Sequence, residues 1–315
     1  MKAAVLTRFG EPNALQIMEV DKPQAADHQV LIQIKAAGVN PVDTKVRAGT
    51  SGLSKRLGLP IILGWDVSGV VTVAGKAVSV VKPGDEVFGC IEFPGPGNAY
   101  AEYVATDPGW LAKKPANISF EEAAAIPLAG LTAYQAIEEQ LKIRAGQTIL
   151  VQAAAGGVGH LAVQFAKILG ATVYGTASAK NEAFLKSLGV DQVIDYKNER
   201  FEDKVVPLDA VLDAMGGAVL YRSIPCVKAG GVVVCLPSST KDDPEAMALA
   251  ERHGVTLTWP LMYPDGGQMK IIAGLLEQGK LRVHVDQTFS LDHIASAHEA
   301  VESHRTRGKI VVKID

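Results

Sequence analysis

The sequence predicts an α/β protein in which a doubly wound parallel sheet of the Rossmann type is inserted into a β-rich, barrel-like domain. Three observations support this prediction. A strand, a glycine-rich turn and a helix follow one another within residues 148–170. Strands and helices alternate after this stretch, as in βαβ units. Residues 1–120 and the last strand of the chain instead have the short, turn-separated β pattern of a barrel.

The first part of the chain contains apolar and β-branched runs separated by turn signals. Strands are expected at residues 3–6, 29–35 and 67–73. Turn sequences rich in glycine and proline interrupt them at residues 10–12, 82–85 and 93–97. Residues 36–49 are predicted to form a loop that leads into a short helical turn at Pro41.

Helical patterning begins near Ser119, which fits a capping box with Glu122. Pro127 interrupts this helix, and helical patterning resumes over residues 128–141. Parallel strands are then expected at residues 148–151, 172–176, 192–195, 209–213 and 231–235, with a helix at residues 181–188. In the tail we expect helices at residues 269–277 and 291–301 and strands at residues 283–285 and 309–314.

These elements predict a discontinuous domain. Residues 1–121 form the first part of a catalytic, barrel-like domain, and residues 263–315 close it. Residues 122–262 form the inserted nucleotide-binding domain.

The turn at Gly156 has the spacing of a dinucleotide-binding motif. Ala154, Gly156 and Gly159 give the pattern A-x-G-x-x-G, with alanine in place of the usual first glycine. Gly156 permits close approach of a pyrophosphate, and Gly159 permits close packing of the helix on the sheet. The turn, including Gly157 and Val158, would present free backbone N–H groups at a helix N-terminus. A glycine turn without a ligand is the alternative, and the flanking strand and helix favour the nucleotide.

The composition is that of a globular protein: 315 residues, of which 48% are hydrophobic and 21% are charged. The net charge of −3 argues against a dedicated nucleic-acid binder. No apolar run approaches the roughly 20 residues of a membrane helix, and no signal-peptide pattern is present, so we expect a cytoplasmic protein. Three cysteines cannot form a disulfide framework, and Cys90, Cys226 and Cys235 lack zinc-ligand spacing.

The end of the second Rossmann strand indicates the coenzyme. An NAD site usually places a carboxylate there, but residues 175–181 contain none. Ser178 and Lys180 could instead bind a 2′-phosphate, which favours NADPH. The alternative for Lys180 is a solvated charge at a helix start, which the helix dipole makes mildly unfavourable.

Two further loops follow strands on the same sheet. Ligands of open α/β sheets bind at the carboxyl ends of strands. We therefore expect cofactor contacts from the residues that follow the fourth and fifth strands, namely Met215, Leu236 and Pro237.

The whole sequence resembles the medium-chain dehydrogenase/reductase superfamily, through blocks that run in family order: AAGVNPVDTKVRAG, GWDVSGVV, VKPGDEVFG, AAAIPLAGLTAYQAI, AAAGGVGHLAVQFAKILGATVYGTAS and RGKIVVKI. Within it, the sequence is similar to the zinc-independent quinone oxidoreductase and enone reductase branch. The resemblance implies a GroES-like barrel domain around a Rossmann domain, and a homodimer. It also implies hydride transfer from NADPH to a quinone or an α,β-unsaturated ketone or aldehyde.

The metal ligands of the zinc alcohol dehydrogenases in this superfamily are replaced here. Those enzymes carry a cysteine within the segment that corresponds to residues 40–43 and a His-Glu pair after Gly64. This chain has Asn40 in that segment, with Trp65 and Asp66 after the glycine. A structural zinc needs four closely spaced thiolates, and Cys90 stands alone. We therefore expect no metal.

By resemblance, the loop over residues 40–45 faces the nicotinamide and supplies the catalytic candidates. Asn40 could donate a hydrogen bond to the carbonyl oxygen of the acceptor, and Lys45 could do so with a charge. Asp43 is the third candidate. The structural alternatives are a loop-closing side chain for Asn40 and a local ion pair between Lys45 and Asp43.

The resemblance also places Thr132 beside the nicotinamide and Tyr196 near the 2′-phosphate or the adenine. Helix packing is the alternative for Thr132, and packing at the rim is the alternative for Tyr196. Several quinone reductases of this family have a tyrosine after their Arg-x-Gly segment, where this chain has Thr50, so a quinone and an enone stay equally open. A non-catalytic NADPH-binding protein, crystallin-like or RNA-binding, is the alternative function.

Overall fold

The computed structural model describes residues 1–314, and the chain divides into two compact units. The first unit comprises Met1–Leu131 and Tyr263–Asp315, and the second comprises Thr132–Met262. The first change of unit falls after Leu131 rather than after residue 121. The reason is that the helix opened by Ser119 packs its alanines against strand residues of the first unit.

Eight strands and four helices occupy the first part of the chain. The strands are β1 (Lys2–Leu6), β2 (Leu15–Glu19), β3 (Val30–Val39), β4 (Ile61–Ile62), β5 (Asp66–Ala74), β6 (Glu86–Cys90), β7 (Tyr103–Thr106) and β8 (Leu111–Lys113). The helices are α1 (Pro41–Arg47), α2 (Gly52–Leu57), α3 (Phe120–Ala124) and α4 (Pro127–Tyr134), the last of which continues into a π-helical segment at Gln135–Gln140.

Strands and α-helices alternate from residue 148 onward, except between residues 195 and 208, where a short 3-10 helix, Phe201–Asp203, separates two strands. The middle of the chain contains β9 (Thr148–Val151), α5 (Gly159–Ile168), β10 (Thr172–Ala177), α6 (Glu182–Ser187), β11 (Gln192–Asp195), β12 (Leu208–Asp213), α7 (Gly217–Ser223), β13 (Val227–Cys235), α8 (Pro244–His253) and β14 (Thr256–Thr258). The tail contains α9 (Gly266–Glu277), β15 (Val285–Ser290), α10 (Ile294–Glu302) and β16 (Lys309–Lys313).

The first unit is built on a sheet in the order β15-β16-β3-β5-β6-β8, with β7 also pairing with β3, and on a smaller sheet, β2-β1-β4. The last strand, β16, pairs antiparallel with β3, so that Ile310 lies opposite Val39. The C-terminal tail thus completes the domain that the N-terminal part begins, as its β pattern predicts. The capping box is confirmed, because Ser119 and Glu122 exchange side chain-to-backbone hydrogen bonds of 2.8 and 3.1 Å.

Two sequence-based expectations for the first unit are wrong. Residues 36–39 are not loop but the buried end of β3. Small residues stand there because neighbours approach closely: a Cβ on Gly38 would lie 2.4 Å from the carbonyl oxygen of Ala124. The strand expected at residues 283–285 begins only at Val285 and runs to Ser290. Its polar residues obscured it, since β15 lies at the edge of the sheet.

The second unit is a single parallel sheet in the order β11-β10-β9-β12-β13-β14. The chain moves outward from β9 to β10 and β11, then returns to β12 on the other side of β9. This reversal confirms the predicted doubly wound topology, and its switch point lies beside the carboxyl end of β9. Buried side chains such as Leu150, Val211 and Val233 fill the core of the unit. Within residues 1–314, every helix is too short or too polar to cross a bilayer.

Candidate functional site

The glycine turn of the second unit has the shape that the sequence predicts. It joins the end of β9 to the start of α5 at Gly159. A Cβ on Gly156 would meet only the carbonyl oxygen of Ala153, at 3.2 Å, so the outer side of this residue is open. A Cβ on Gly159 would lie 2.3 Å from the same oxygen and 2.8 Å from the Cα of Ala154. Gly156 therefore leaves a cradle beside the backbone, whereas Gly159 is required for packing.

The turn also presents unused hydrogen-bond donors. Gly156 donates its N–H to Ala153 at 2.9 Å, and His160 donates to Gly156 at 3.1 Å. Within the described part of the chain, the N–H groups of Gly157 and Val158 find no acceptor. They lie at the N-terminus of α5, where the helix dipole is positive and an anion is stabilised. The turn fits a pyrophosphate.

The loop after β10 lies next to this turn. Ala154 donates its N–H to Thr176 at 2.9 Å, and β10 ends at Ala177 without a carboxylate. Ser178 follows with a buried side chain, whose oxygen accepts a hydrogen bond of 3.4 Å from Asn181, and the side chain of Lys180 is exposed.

Tyr196 reaches the same place from the neighbouring strand. Its backbone N–H donates to Ala177 at 3.2 Å, and its side chain is 59% exposed. The exposed ring of Tyr196 thus lies at the ends of β10 and β11, where the hydroxyl of Ser178 follows β10 and the ammonium of Lys180 is two residues further along the chain. This set of donors suits a 2′-phosphorylated adenosine.

The loops after β12 and β13 complete this edge. Asp213 accepts hydrogen bonds of 2.7 Å from the N–H groups of Met215 and Gly216, and this fixes the loop with the Met215 side chain 54% exposed. Leu236 donates its N–H to the carbonyl oxygen of Asp213 at 2.8 Å and leads into Pro237. Burial raises the pKa of Asp213, while its two backbone hydrogen bonds act in the opposite direction.

All predicted cofactor residues except two therefore gather at one edge of the parallel sheet. The exceptions are Thr132, which is half-buried on α4, and Asn40, which belongs to the first unit.

In the first unit, Asn40 is the centre of a buried polar network. Its side chain is 1% exposed, and its Nδ2 donates to Asp66 Oδ2 at 2.8 Å. Its Oδ1 accepts a hydrogen bond from the ammonium of Lys309. Lys309 also donates to the carbonyl oxygen of Val39 at 2.9 Å and lies 3.9 Å from Asp66 Oδ2.

Asp66 joins this network to α4. Its Oδ1 accepts the N–H of Leu128, at the start of that helix, at 2.7 Å. Burial raises the pKa of Asp66 even though Lys309, Asn40 and Leu128 all favour its charged form. Burial lowers the pKa of Lys309, and the negative charges of Asp66 and Asp43 act in the opposite direction.

Asp43 is fully buried one helical turn away. Its Oδ2 accepts the backbone N–H of Asn40 at 2.6 Å. Burial raises the pKa of Asp43 to about 7, and the Asn40 bond only partly offsets this. Tyr100 is near enough to lower this pKa, although its hydroxyl and Asp43 Oδ1 make no hydrogen bond of regular geometry. Lys45 is exposed on the same helix, and the ion pairs of residues 1–314 do not join it to Asp43.

Two buried residues of this region are not predicted from the sequence: Lys309, which donates to Asn40 and Val39, and Tyr100, which lies near Asp43. The signal for Lys309 was a lysine at the start of a strand whose next three residues are apolar. Nothing in the spacing of the sequence connects it to Asn40, which lies 269 positions earlier.

Comparison with known proteins gives concordant results. The chain matches the family model of the alcohol dehydrogenase GroES-like domain over residues 26–116, and that of zinc-binding dehydrogenases over residues 188–312. It is 38% identical to a 2-methylene-furan-3-one reductase of Solanum lycopersicum, over 99% of this chain and 79% of that protein.

Solved structures also resemble the chain over its whole length, and two examples are quinone oxidoreductases. The quinone oxidoreductase from Coxiella burnetii has a TM-score of 0.94 and 38% identity, covering 100% of this chain and 99% of that one. The Escherichia coli quinone oxidoreductase complexed with NADPH has a TM-score of 0.89 and 28% identity, covering 99% and 100%.

Proposed function

The chain belongs to the medium-chain dehydrogenase/reductase superfamily, in its quinone oxidoreductase branch, and we propose from this that it reduces a quinone or an α,β-unsaturated ketone or aldehyde with NADPH. The observation that carries the proposal is the open cradle at Gly156, with unused N–H groups on one side and a carboxylate-free strand end on the other.

The residues of the second unit divide the work of binding. The turn from Gly156 to Gly159 would hold the pyrophosphate through backbone N–H groups. Ser178 and Lys180 would hold the 2′-phosphate, and Tyr196 would cover it or the adenine. Met215, Leu236, Pro237 and Thr132 would bound the remainder of the coenzyme. When bound, NADPH supplies the hydride, and the protein orients the acceptor and stabilises its developing charge.

Asn40, Asp43 and Lys45 remain the proposed catalytic residues, and the network suggests how their roles differ. Asn40 uses one of its two side-chain N–H groups on Asp66, and we assign the second to the carbonyl oxygen of the acceptor. Lys45 has an exposed ammonium that can stabilise the same oxygen. Asp43 holds the Asn40 backbone, and its pKa near 7 allows it to carry a proton at neutral pH.

We further propose that catalysis needs no metal. Asn40 and Asp66 stand where the zinc enzymes have metal ligands. The Asn40 carboxamide is hydrogen-bonded through both its oxygen and its nitrogen, and the Asp66 carboxylate faces the ammonium of Lys309. A second cation beside Lys309 would be repelled, and a neutral amide is a poor zinc ligand. Metal analysis of active protein should find well under one zinc per chain, and activity should survive a strong chelator.

A coenzyme-oxidation assay tests the central proposal. Purified protein is mixed with NADPH and a panel of quinones, enones and enals, and the loss of nicotinamide absorbance is followed. We expect turnover, reduced by about 100-fold in kcat in Asn40→Ala if Asn40 stabilises the developing oxyanion. Tight NADPH binding without turnover on any acceptor would instead favour a non-catalytic NADPH-binding protein. Absence of NADPH binding would overturn both functions.

The preferred acceptor class follows from the same panel. The family resemblance leaves quinones and enones equal, since Thr50 stands where several quinone reductases have a tyrosine. A kcat/KM at least tenfold higher for one class would assign it.

A homodimer and a cytoplasmic location complete the proposal. The short strand β14 forms one edge of the parallel sheet, and an unpaired edge can extend by pairing with a second copy. Light scattering should give twice the chain mass of 33.2 kDa. Cell fractionation tests the location.

A further inference from the structure

A chain of buried hydrogen bonds between uncharged side chains supports the glycine turn, and its last member, Ser223, lies near the carboxyl of Asp213. Thr176 on β10 accepts the backbone N–H of Ala153 at 3.1 Å and donates its own hydroxyl to Gln152 Oε1 at 2.6 Å. Gln152 then donates through Nε2 to the hydroxyl of Ser223 on α7 at 3.0 Å. Ser223 donates to the carbonyl oxygen of Val219 at 2.9 Å. Every hydroxyl in this chain both accepts and donates.

These side chains are shielded from water. Gln152 is 2% exposed, Thr176 is 3% exposed and Ser223 is fully buried. Because a buried polar group without a partner costs about 1–3 kcal/mol, each member depends on the others.

The backbone that this chain holds is in an unfavourable conformation. Ala153 has φ of 52°, in the left-handed region that residues with a Cβ rarely adopt. Its carbonyl oxygen accepts the N–H of Gly156 and lies against Gly159. The orientation of Ala153 therefore sets the orientation of the whole turn, including the open N–H groups of Gly157 and Val158.

We propose that Gln152 and Thr176 are positioning residues for the pyrophosphate-binding turn. They hold Ala153 in its left-handed conformation, so that the N–H groups of the turn are oriented before the coenzyme arrives. Both side chains are buried, so neither is available to contact the coenzyme directly. They order the turn before binding. Without them, the turn would have to become ordered when the coenzyme binds, and this would lower the affinity for the coenzyme. This inference rests on the proposed function, because it assumes that the turn binds a pyrophosphate.

The test separates the two ends of the coenzyme. NADP⁺ contains the pyrophosphate, whereas adenosine 2′-monophosphate carries the 2′-phosphate and the adenine without it. Dissociation constants for both are measured by calorimetry on the full chain. Thr176→Val keeps the shape of the side chain and removes the hydroxyl. We expect it to weaken NADP⁺ binding about tenfold and to leave adenosine 2′-monophosphate within about twofold of wild type.

Three variants complete the design. Thr176→Ser restores the hydroxyl and should recover NADP⁺ binding. Thr172→Val makes the same substitution at the other end of β10, and should leave both ligands unchanged. Gln152→Met removes the next hydrogen bond and should act like Thr176→Val, which keeps the test available if one variant fails to fold. In steady state, KM for NADPH should rise while kcat at saturating NADPH stays constant.

The outcomes that overturn the inference are distinct from those that overturn the function. Equal loss of both ligands would mean that Thr176 supports only the unit as a whole, and unchanged binding of both would mean that the turn needs no support. If wild-type protein binds adenosine 2′-monophosphate as tightly as NADP⁺, the turn binds no pyrophosphate. The proposed role of the turn itself then fails.

Discussion

Replacing the ammonium of Lys309 by an uncharged chain of similar length tests the buried network of the first unit. Lys309→Met leaves the Asp66 carboxylate fully buried, with only Asn40 and Leu128 as hydrogen-bond donors. At 3.9 Å and an effective dielectric constant of about 20, the lost attraction is about 4 kcal/mol. If the unpaired Asp66 carboxyl instead takes up a proton at pH 7, this costs about 4 kcal/mol, because an ordinary carboxyl has a pKa near 4. Both routes predict the same loss.

Thermal unfolding measures this loss. A destabilisation of about 4 kcal/mol corresponds to a decrease of roughly 10 °C in Tm for a chain of this size. The control is Lys313→Met, which makes the same change at an exposed position on β16 and should cost below about 1 kcal/mol. The double variant Asp66→Asn with Lys309→Met no longer buries an unpaired charge, so it should be more stable than Lys309→Met alone.

The loss should also depend on pH, with a sign that the structure determines. Burial already raises the pKa of Asp66 in the wild type, and removing Lys309 raises it further. A carboxyl whose pKa is higher in the folded than in the unfolded state loses stability as pH rises towards the folded value. Lys309→Met should therefore be more destabilised at pH 8 than at pH 5.5. A Tm within about 2 °C of the Lys313→Met control at both pH values would refute the reasoning.

Three other predictions concern single features. Ser178→Asp combined with Lys180→Ala should lower kcat/KM for NADPH by at least about tenfold and abolish the preference of the enzyme for NADPH over NADH, because a carboxylate repels the 2′-phosphate. An unchanged ratio of kcat/KM for the two coenzymes would contradict the assignment of NADPH. Gly156→Ala should keep the wild-type Tm but weaken NADP⁺ binding, whereas Gly159→Ala should lower Tm, since its Cβ would lie 2.3 Å from a carbonyl oxygen. Calorimetry measures the NADP⁺ binding and thermal melts measure Tm. Equal effects of the two substitutions on both quantities would contradict the different roles of the two glycines. Burial and the nearby Arg47 lower the pKa of His298 to about 3, so the wild-type protein should lose stability as pH falls from about 6.5, the pKa of an unfolded histidine, towards 3. His298→Phe should flatten this part of a plot of Tm against pH. Parallel plots for variant and wild type would contradict the prediction.

Periodicity alone predicted much of the fold. The strands of the parallel sheet are runs of buried residues bounded by turns, so β9 to β13 could be recognised without knowledge of their neighbours. The end of β3 could not be recognised, because Ala36 and Gly38 are small for a reason outside the segment: the chain at Ala124 passes against them. Local sequence carries no record of such a contact.

The candidate site was predictable to different degrees in the two units. The coenzyme edge is local, since each residue follows directly after a strand and parallel strands end together. The network of the first unit joins Asn40, Asp66 and Lys309 from distant parts of the chain. A lysine at the start of an apolar strand ordinarily predicts an exposed charge, and only the tertiary structure shows that this one is buried.

The network around Asn40 and the support of the glycine turn therefore differ in chemistry, and this difference has a measurable consequence. The first unit uses buried ionisable groups, Asp43, Asp66 and Lys309, whose protonation is coupled to burial. The side chains that hold the backbone of Ala153 in the second unit, Thr176 and Gln152, are instead neutral and do not titrate near neutral pH. An ionisable group, Asp213, lies only at the far end of this chain, where it interacts with Ser223, and burial raises its pKa. Coenzyme affinity between pH 7 and 9 should consequently be nearly constant, because the 2′-phosphate is also fully charged above its pKa of about 6. Turnover should instead change across the same range, following the Asp43 pKa of about 7, and Asp43→Asn should remove that change.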